Sequence, residues 1–297
     1  MFLIFLQLLF SIAFIIFKLS MPYGPPFFLV GMRLIIAGII LLLSQLFLNR
    51  KSFGLLKDNW HLILSAAIFN IYITNAFEFW ALGCVTAAKA SFIYNFSPFV
   101  SAFFGYLLLS ETMTFKKWLG LIIGIVGMLP ILLTDSSYCE VAGNHFGLFS
   151  TAELALLIAA GATSYGWISI KQLIHKKNVP IILANGISTL IGGSIALTQS
   201  AFVETWPSFN NAYLWFYIFA AVIVSQLLAY NFYASLLLKY SATFMTFTGF
   251  SMPFFTALLG WLFLGETVSS AFYISNLIVF IGLCVFYTEE KGTASKV

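Results

Sequence analysis

The blocks PFVSAFFGYLLLSET (98–112) and PFFTALLGWLFLGET (253–267) are one motif written twice. Pro98, Phe99, Ala102, Gly105, Leu107, Leu109, Glu111 and Thr112 recur at a constant offset as Pro253, Phe254, Ala257, Gly260, Leu262, Leu264, Glu266 and Thr267. Gly127 and Gly282 continue the register. Upstream, SIAFIIFK (11–18) is similar to SYGWISIK (164–171), and PFFLVGMRLIIAGIILLLSQ (26–45) to PIILANGISTLIGGSIALTQ (180–199). Apolar helices match by chance, so the short upstream pairs are weak alone. Eight identities in one uninterrupted register are much stronger, and they predict an internal duplication.

The composition sets the medium. Of 297 residues, 61% are hydrophobic and 8% charged, against about 25% charged in an ordinary soluble domain. Such a chain cannot cover itself in water. A bilayer crossing needs about 20 apolar residues, and ten apolar segments can be marked. They run at 2–18, 27–47, 61–83, 85–109, 117–134, 151–173, 180–201, 212–237, 240–264 and 269–288. The fold class expected is an all-α polytopic membrane protein of ten transmembrane helices. Residues 1–134 form one five-helix repeat, 151–290 a second, and 135–150 an outer loop between them. Five is odd, so the second repeat enters the membrane inverted. Inverted repeats are an architecture of secondary transporters, with the substrate site near the midplane between the halves.

Charge placement orients the chain. With the N-terminus in the cytoplasm, Arg50, Lys51, Lys57, Lys116, Lys117, Lys171, Lys176, Lys177, Lys239, Lys291 and Lys296 all fall on the cytoplasmic side. Only Lys18 and Lys89 face outward, which satisfies the positive-inside rule. The apolar N-terminus lacks a basic lead and a small-residue cleavage site, so it reads as a retained first helix. Cys84, Cys139 and Cys284 are odd in number and widely spaced, which disfavours a disulfide framework or a zinc site. No phosphate-binding G-x-x-x-x-G-K-[ST] loop occurs, and no cofactor or metal is expected. The scattered basic residues give no nucleic-acid patch.

These residues together resemble the drug/metabolite transporter superfamily, and specifically its EamA-type ten-helix carriers. The resemblance rests on the helix 1 and 6 ends at Lys18 and Lys171, on Pro26 with Arg33 in helix 2, and on the two Pro-to-Glu blocks followed by glycines. It spans essentially the whole chain. It implies a carrier for a small molecule such as an amino acid, a nucleobase-like compound, S-adenosylmethionine or one of various toxic organics. Two departures stand out: both blocks read Glu-Thr where the family commonly has Glu-Pro, and Ile187 replaces the second-half counterpart of Arg33.

Candidate site residues follow from what is costly in hydrocarbon. Pro98 and Pro253 each remove a backbone donor and break helices 4 and 9 at matching places. Arg33 and Glu78 lie at similar depth, about 9 Å from the outer ends of helices 2 and 3 at 1.5 Å per residue. They are expected to form a charge pair, either structural or coupled to substrate or protons. Lys89 either joins them or snorkels outward. Buried amides need partners, which draws attention to Gln226, Tyr230, Asn231 and Tyr233 in helix 8. The cavity predicted is lined by Tyr94, Asn95, Pro98, Trp167, Gln226, Tyr230, Asn231 and Ser251. Glu111 and Glu266 are expected to cap the helices that follow them.

No nucleophile or metal cluster supports an intramembrane enzyme. A non-transporting scaffold is compatible with the composition but gives no reason for paired helix breaks. The expected function is therefore secondary transport of an amino-acid-like or nucleoside-like metabolite, S-adenosylmethionine among them, across a bacterial inner membrane. Efflux of amino acids or toxic organics is the alternative. The 34 phenylalanines hint at an AT-rich genome and tilt the reading toward uptake or exchange. The partners expected are the lipid bilayer, the substrate and either a counter-substrate or a proton, in a monomer or a homodimer.

Overall fold

Helices dominate the computed structural model, which describes residues 2–100, 103–104, 114–132, 145–146, 149–240, 245 and 248–294. Helix α1 is Phe2–Ser20 and α2 is Pro26–Asn49. Pro26 opens α2 where a missing N–H costs nothing, and the Glu204 carboxylate accepts from the free N–H groups of Phe27 and Phe28 at 2.9 Å each. Helix α3 runs Trp60–Ser65, then a π-helical stretch Ala66–Ile73, then Thr74–Leu82. Helix α4 is Ala87–Tyr94, α5 is Phe115–Leu132, α6 is Thr151–His175 and α7 is Ile181–Val203. Helix α8 runs Ala212–Ala221, a second π stretch Val222–Tyr230, then Asn231–Leu236. Helix α9 is Met252–Leu264 and α10 is Ser270–Ala294. Among the described residues the strand content is one two-residue antiparallel pair, His145–Phe146 with Phe149–Ser150, just before α6.

Among the described residues, six helical stretches are long and apolar enough to cross a membrane: Phe2–Tyr23, Pro26–Leu82, Phe115–Leu132, Thr151–His175, Ile181–Val203 and Ala212–Leu236. Shorter apolar helices cover Gly249–Leu264 and Ser270–Phe286. The outer surface is inverted relative to a soluble protein. Ile39, Leu43 and Phe47 on α2, Ile122 and Val126 on α5, and Trp261, Leu262 and Phe263 on α9 are all exposed. A contiguous apolar surface of this kind needs hydrocarbon around it.

Close backbone approach holds the bundle together, as expected where lipid removes the hydrophobic drive between helices. Helix α2 packs along α7, and α5 along α10. A Cβ on Gly31 would meet the Leu197 backbone at 2.7 Å, and one on Gly282 would meet the Gly120 carbonyl at 2.8 Å. Only glycine permits either contact. Helix α1 packs against α8 and α9, while α6 packs against α3 and α4.

The two prolines expected to break helices do so one turn upstream. Helix α4 unwinds into a turn at Asn95 and Phe96 before Pro98. Pro98 cannot donate to the Tyr94 carbonyl, and the Ser97 hydroxyl donates to it instead. Ahead of Pro253, a 3₁₀ turn at Gly249–Ser251 precedes α9, and the Met252 N–H satisfies the Gly249 carbonyl.

Candidate functional site

An aromatic-walled cavity lies where α1, α3, α4, α6, α8 and the lead into α9 converge. It encloses about 940 Å³ of empty space, the part open to solvent included. Helix α1 supplies Phe10, Phe14 and Phe17, and α6 supplies Thr163, Ser164 and Trp167. Trp167 lies 4.2 Å from Tyr233 and 5.3 Å from Tyr230, centroid to centroid, and Phe14 meets Tyr94 edge-on at 5.8 Å. The polar lining is Gln7, Thr74, Asn75, Glu78, Asn95, Ser97, Thr163, Ser164 and Ser225, with the tyrosine hydroxyls. Glu78 is the carboxylate of the lining.

Of the eight residues expected to line the cavity, Tyr94, Asn95, Trp167 and Tyr230 do so. Pro98, Gln226, Asn231 and Ser251 are not in the lining. The π turn in α8 explains two of these. With i→i+5 spacing, Ser225 and Tyr230 share the cavity face, whereas Gln226 and Asn231 share another. Asn231 Nδ2 donates to the Gln226 and Leu227 carbonyls, and its Oδ1 accepts from Asn185 Nδ2 of α7 at 2.9 Å. Ser251 Oγ donates to the Thr248 carbonyl inside the 3₁₀ turn.

Arg33 and Glu78 do not form the direct ion pair expected of them. Arg33 is 1% exposed, and its Nη2 donates to Asn75 Oδ1 at 2.5 Å and its Nη1 to Ser225 Oγ at 3.3 Å. Its guanidinium stacks on Phe17 and Phe79, 3.9 and 4.7 Å from their ring centroids. It sits directly behind Asn75 and Ser225, which face the cavity. Glu78 instead accepts from the Tyr94 hydroxyl at 3.0 Å. Lys89 neither joins Arg33 and Glu78 nor snorkels. It is buried against Glu153 at 2.6 Å.

Glu266 also departs from expectation. Its carboxylate accepts from the Ala87 N–H and pairs with Lys18 at 2.6 Å, so it caps α4 of the other half of the chain. Glu111, Gly105 and Thr112 lie outside the described residues.

Sequence reading missed Gln7, Phe10, Phe17, Asn75 and Ser225. In α1 the cavity stripe is hard to see because large apolar side chains occur on every face, with Gln7 and Ser11 the polar residues of its first three turns. One signal was present: Phe14 and Trp167 occupy matched positions in SIAFIIFK and SYGWISIK, and both line the cavity. The serines of these segments match as well. Ser11 Oγ shares its proton between the Gln7 carbonyl at 2.9 Å and the Met252 carbonyl at 3.1 Å, and Ser164 Oγ between the Ala160 carbonyl at 2.8 Å and the Ser97 carbonyl at 3.3 Å. Each thus holds the residue just before a helix-breaking proline.

The model of the EamA-like transporter family matches residues 1–133 and 150–288. The chain belongs to that family. The transporter is 35% identical over 294 residues to an S-adenosylmethionine/S-adenosylhomocysteine transporter of Chlamydia muridarum, covering 97% of this chain and 92% of the relative. A protein of the same description from Chlamydia trachomatis serovar L2 is also 35% identical, with 97% and 89% covered. A WAT1-related chloroplast protein of Arabidopsis thaliana is 26% identical over 91% of this chain and 65% of its own. A solved crystal structure superposes with a TM-score of 0.65 over 96% of this chain and 93% of the other, at 18% identity, which speaks for the fold alone. The protein is thus a multi-pass membrane transporter for a small metabolite and not an enzyme.

Proposed function

We propose that the transporter carries S-adenosylmethionine across the cytoplasmic membrane of a bacterium, in exchange for S-adenosylhomocysteine. The observation that carries this reading is the 35% identity, along nearly the full length of both chains, to two proteins so described. The cavity chemistry supports it. Trp167, Tyr230 and Tyr233 offer ring faces for a purine. Asn95 and Gln7 offer amides for its edge or for the amino-acid end, and Glu78 offers negative charge.

The mechanism proposed is alternating access between two inverted five-helix repeats, 1–134 and 151–290, that together cross the membrane ten times with both termini in the cytoplasm. Three observations support it. The packing pairs map onto one another when the halves are exchanged: α2 on α7 and α5 on α10 map onto themselves, and α1 on α8 corresponds to α6 on α3. The two π stretches fall in the corresponding helices α3 and α8, and such stretches are frequent at functional sites. The Ser11 and Ser164 contacts join equivalent points of opposite halves. The basic bias of the loops supports the orientation.

The test is uptake of labelled S-adenosylmethionine by cells that take up none without the transporter. Saturable uptake, competed by S-adenosylhomocysteine and not by leucine, is expected. Trp167→Ala removes a stacking face worth about 2 kcal/mol, so KM should rise roughly thirtyfold with the protein still folded. A Trp167→Ala variant with wild-type KM would place the substrate elsewhere. Uptake of leucine but not of S-adenosylmethionine would overturn the assignment.

A further inference from the structure

The two cargoes differ at one atom. S-adenosylmethionine carries a sulfonium, and loss of its methyl group leaves the neutral thioether of S-adenosylhomocysteine. A carrier that exchanges them needs a group that reads this charge. The cavity holds one candidate.

Glu78 is 5% exposed and lines the cavity beside Tyr94, Phe14 and Phe17. Its Oε2 accepts from the Tyr94 hydroxyl. Its Oε1 accepts no hydrogen bond, yet it is not among the enclosed orphan atoms of the described residues, so it faces the open space of the cavity. Among the described residues, no cation lies within 4.0 Å of this carboxylate. The nearest candidate, Arg33, spends its donors on Asn75 and Ser225 and its faces on Phe17 and Phe79. A carboxylate with a free oxygen in a membrane interior is costly unless a cation reaches it. Aromatic rings around it add their own attraction for an onium group.

We propose that Glu78 is the charge-reading residue of the transporter, taking the onium centre of the cargo on its free oxygen and so separating the cation from its neutral product. Tyr94 positions the carboxylate. This assignment rests on the S-adenosylmethionine reading above.

The test is equilibrium binding of labelled S-adenosylmethionine and S-adenosylhomocysteine to the purified full-length transporter in nanodiscs, wild type beside Glu78→Gln. Glutamine keeps the acceptor for Tyr94 and removes the charge. The ratio of the two affinities should move against the sulfonium by about tenfold or more, the size of one lost charged contact. A variant whose ratio stays at the wild-type value, with both affinities lowered or neither, would overturn the proposal and leave the cargo reading standing. A wild-type protein that binds neither compound would overturn the cargo reading, and the proposal with it. A measurement on wild type alone covers the case in which Glu78→Gln does not fold. An analogue with a protonated amine in place of the sulfonium should compete more strongly than an isosteric neutral thioether, and equal competition would overturn the proposal.

Discussion

Replacing Arg33 with leucine should remove most of the folded transporter from the membrane. The side chain is fully buried, and it ties α2 to Asn75 of α3 and to Ser225 of α8, with its planar group pressed on Phe17 of α1. Its loss leaves a buried amide and a hydroxyl without their donor and takes away the compensating charge nearest to Glu78. Breaking a buried charged network of this kind costs about 3–5 kcal/mol, a large part of a stability that is typically 5–15 kcal/mol. Lysine is no substitute, because a single ammonium cannot reach two acceptors and stack on two rings at once. Monodisperse yield and thermal unfolding in detergent read the effect. Removing Glu78 as well should restore only part of the loss, since the two side chains do not touch. An Arg33→Leu protein that melts like wild type would show that the network carries no weight.

The second large effect is at Glu153. One carboxylate oxygen accepts from the Ser150 N–H in a capping box that starts α6, and the other holds Lys89 at the start of α4 at 2.6 Å. Both side chains are 3–4% exposed. Glu153→Gln keeps the cap and removes the carboxylate charge that faces the buried Lys89 ammonium, at a cost of about 3–5 kcal/mol. The double variant Lys89→Met, Glu153→Gln should recover most of that stability, because a buried ion pair contributes little net once its desolvation is counted. A double variant no more stable than the single would contradict this account. Thermal melts of the three proteins decide it.

The helices were readable in the sequence because each is a long apolar run, and the ends follow the same chemistry. The expected segment 151–173 is Thr151–His175 and 180–201 is Ile181–Val203. Segment 240–264 fared differently. Among its described residues Met245 and Thr248 are helical, a 3₁₀ turn fills Gly249–Ser251 and the helix resumes at Met252, so the backbone breaks a turn ahead of the proline. The site was half legible. Tyr94, Asn95, Trp167 and Tyr230 stood out as polar or amphipathic groups in hydrocarbon, and they meet in the cavity. Gln226 and Asn231 stood out for the same reason but turn away from the cavity: Asn231 bonds Asn185 of α7, and Gln226 donates to the neighbouring Ser225 hydroxyl. A period of 3.6 residues could not separate the two sets, because the π turn changes which positions share a face. The Arg33 partners were hidden for another reason: equal depth pointed to the opposite charge, while geometry gave the guanidinium two neutral acceptors and two rings.

The central claim is exchange through this cavity, and counterflow tests it most directly. Proteoliposomes loaded with unlabelled S-adenosylhomocysteine and diluted into labelled S-adenosylmethionine should accumulate label above the external concentration. The label should then fall back as the internal pool drains, and Trp167→Ala should flatten the peak. Label inside that never exceeds the level of protein-free liposomes would contradict the account.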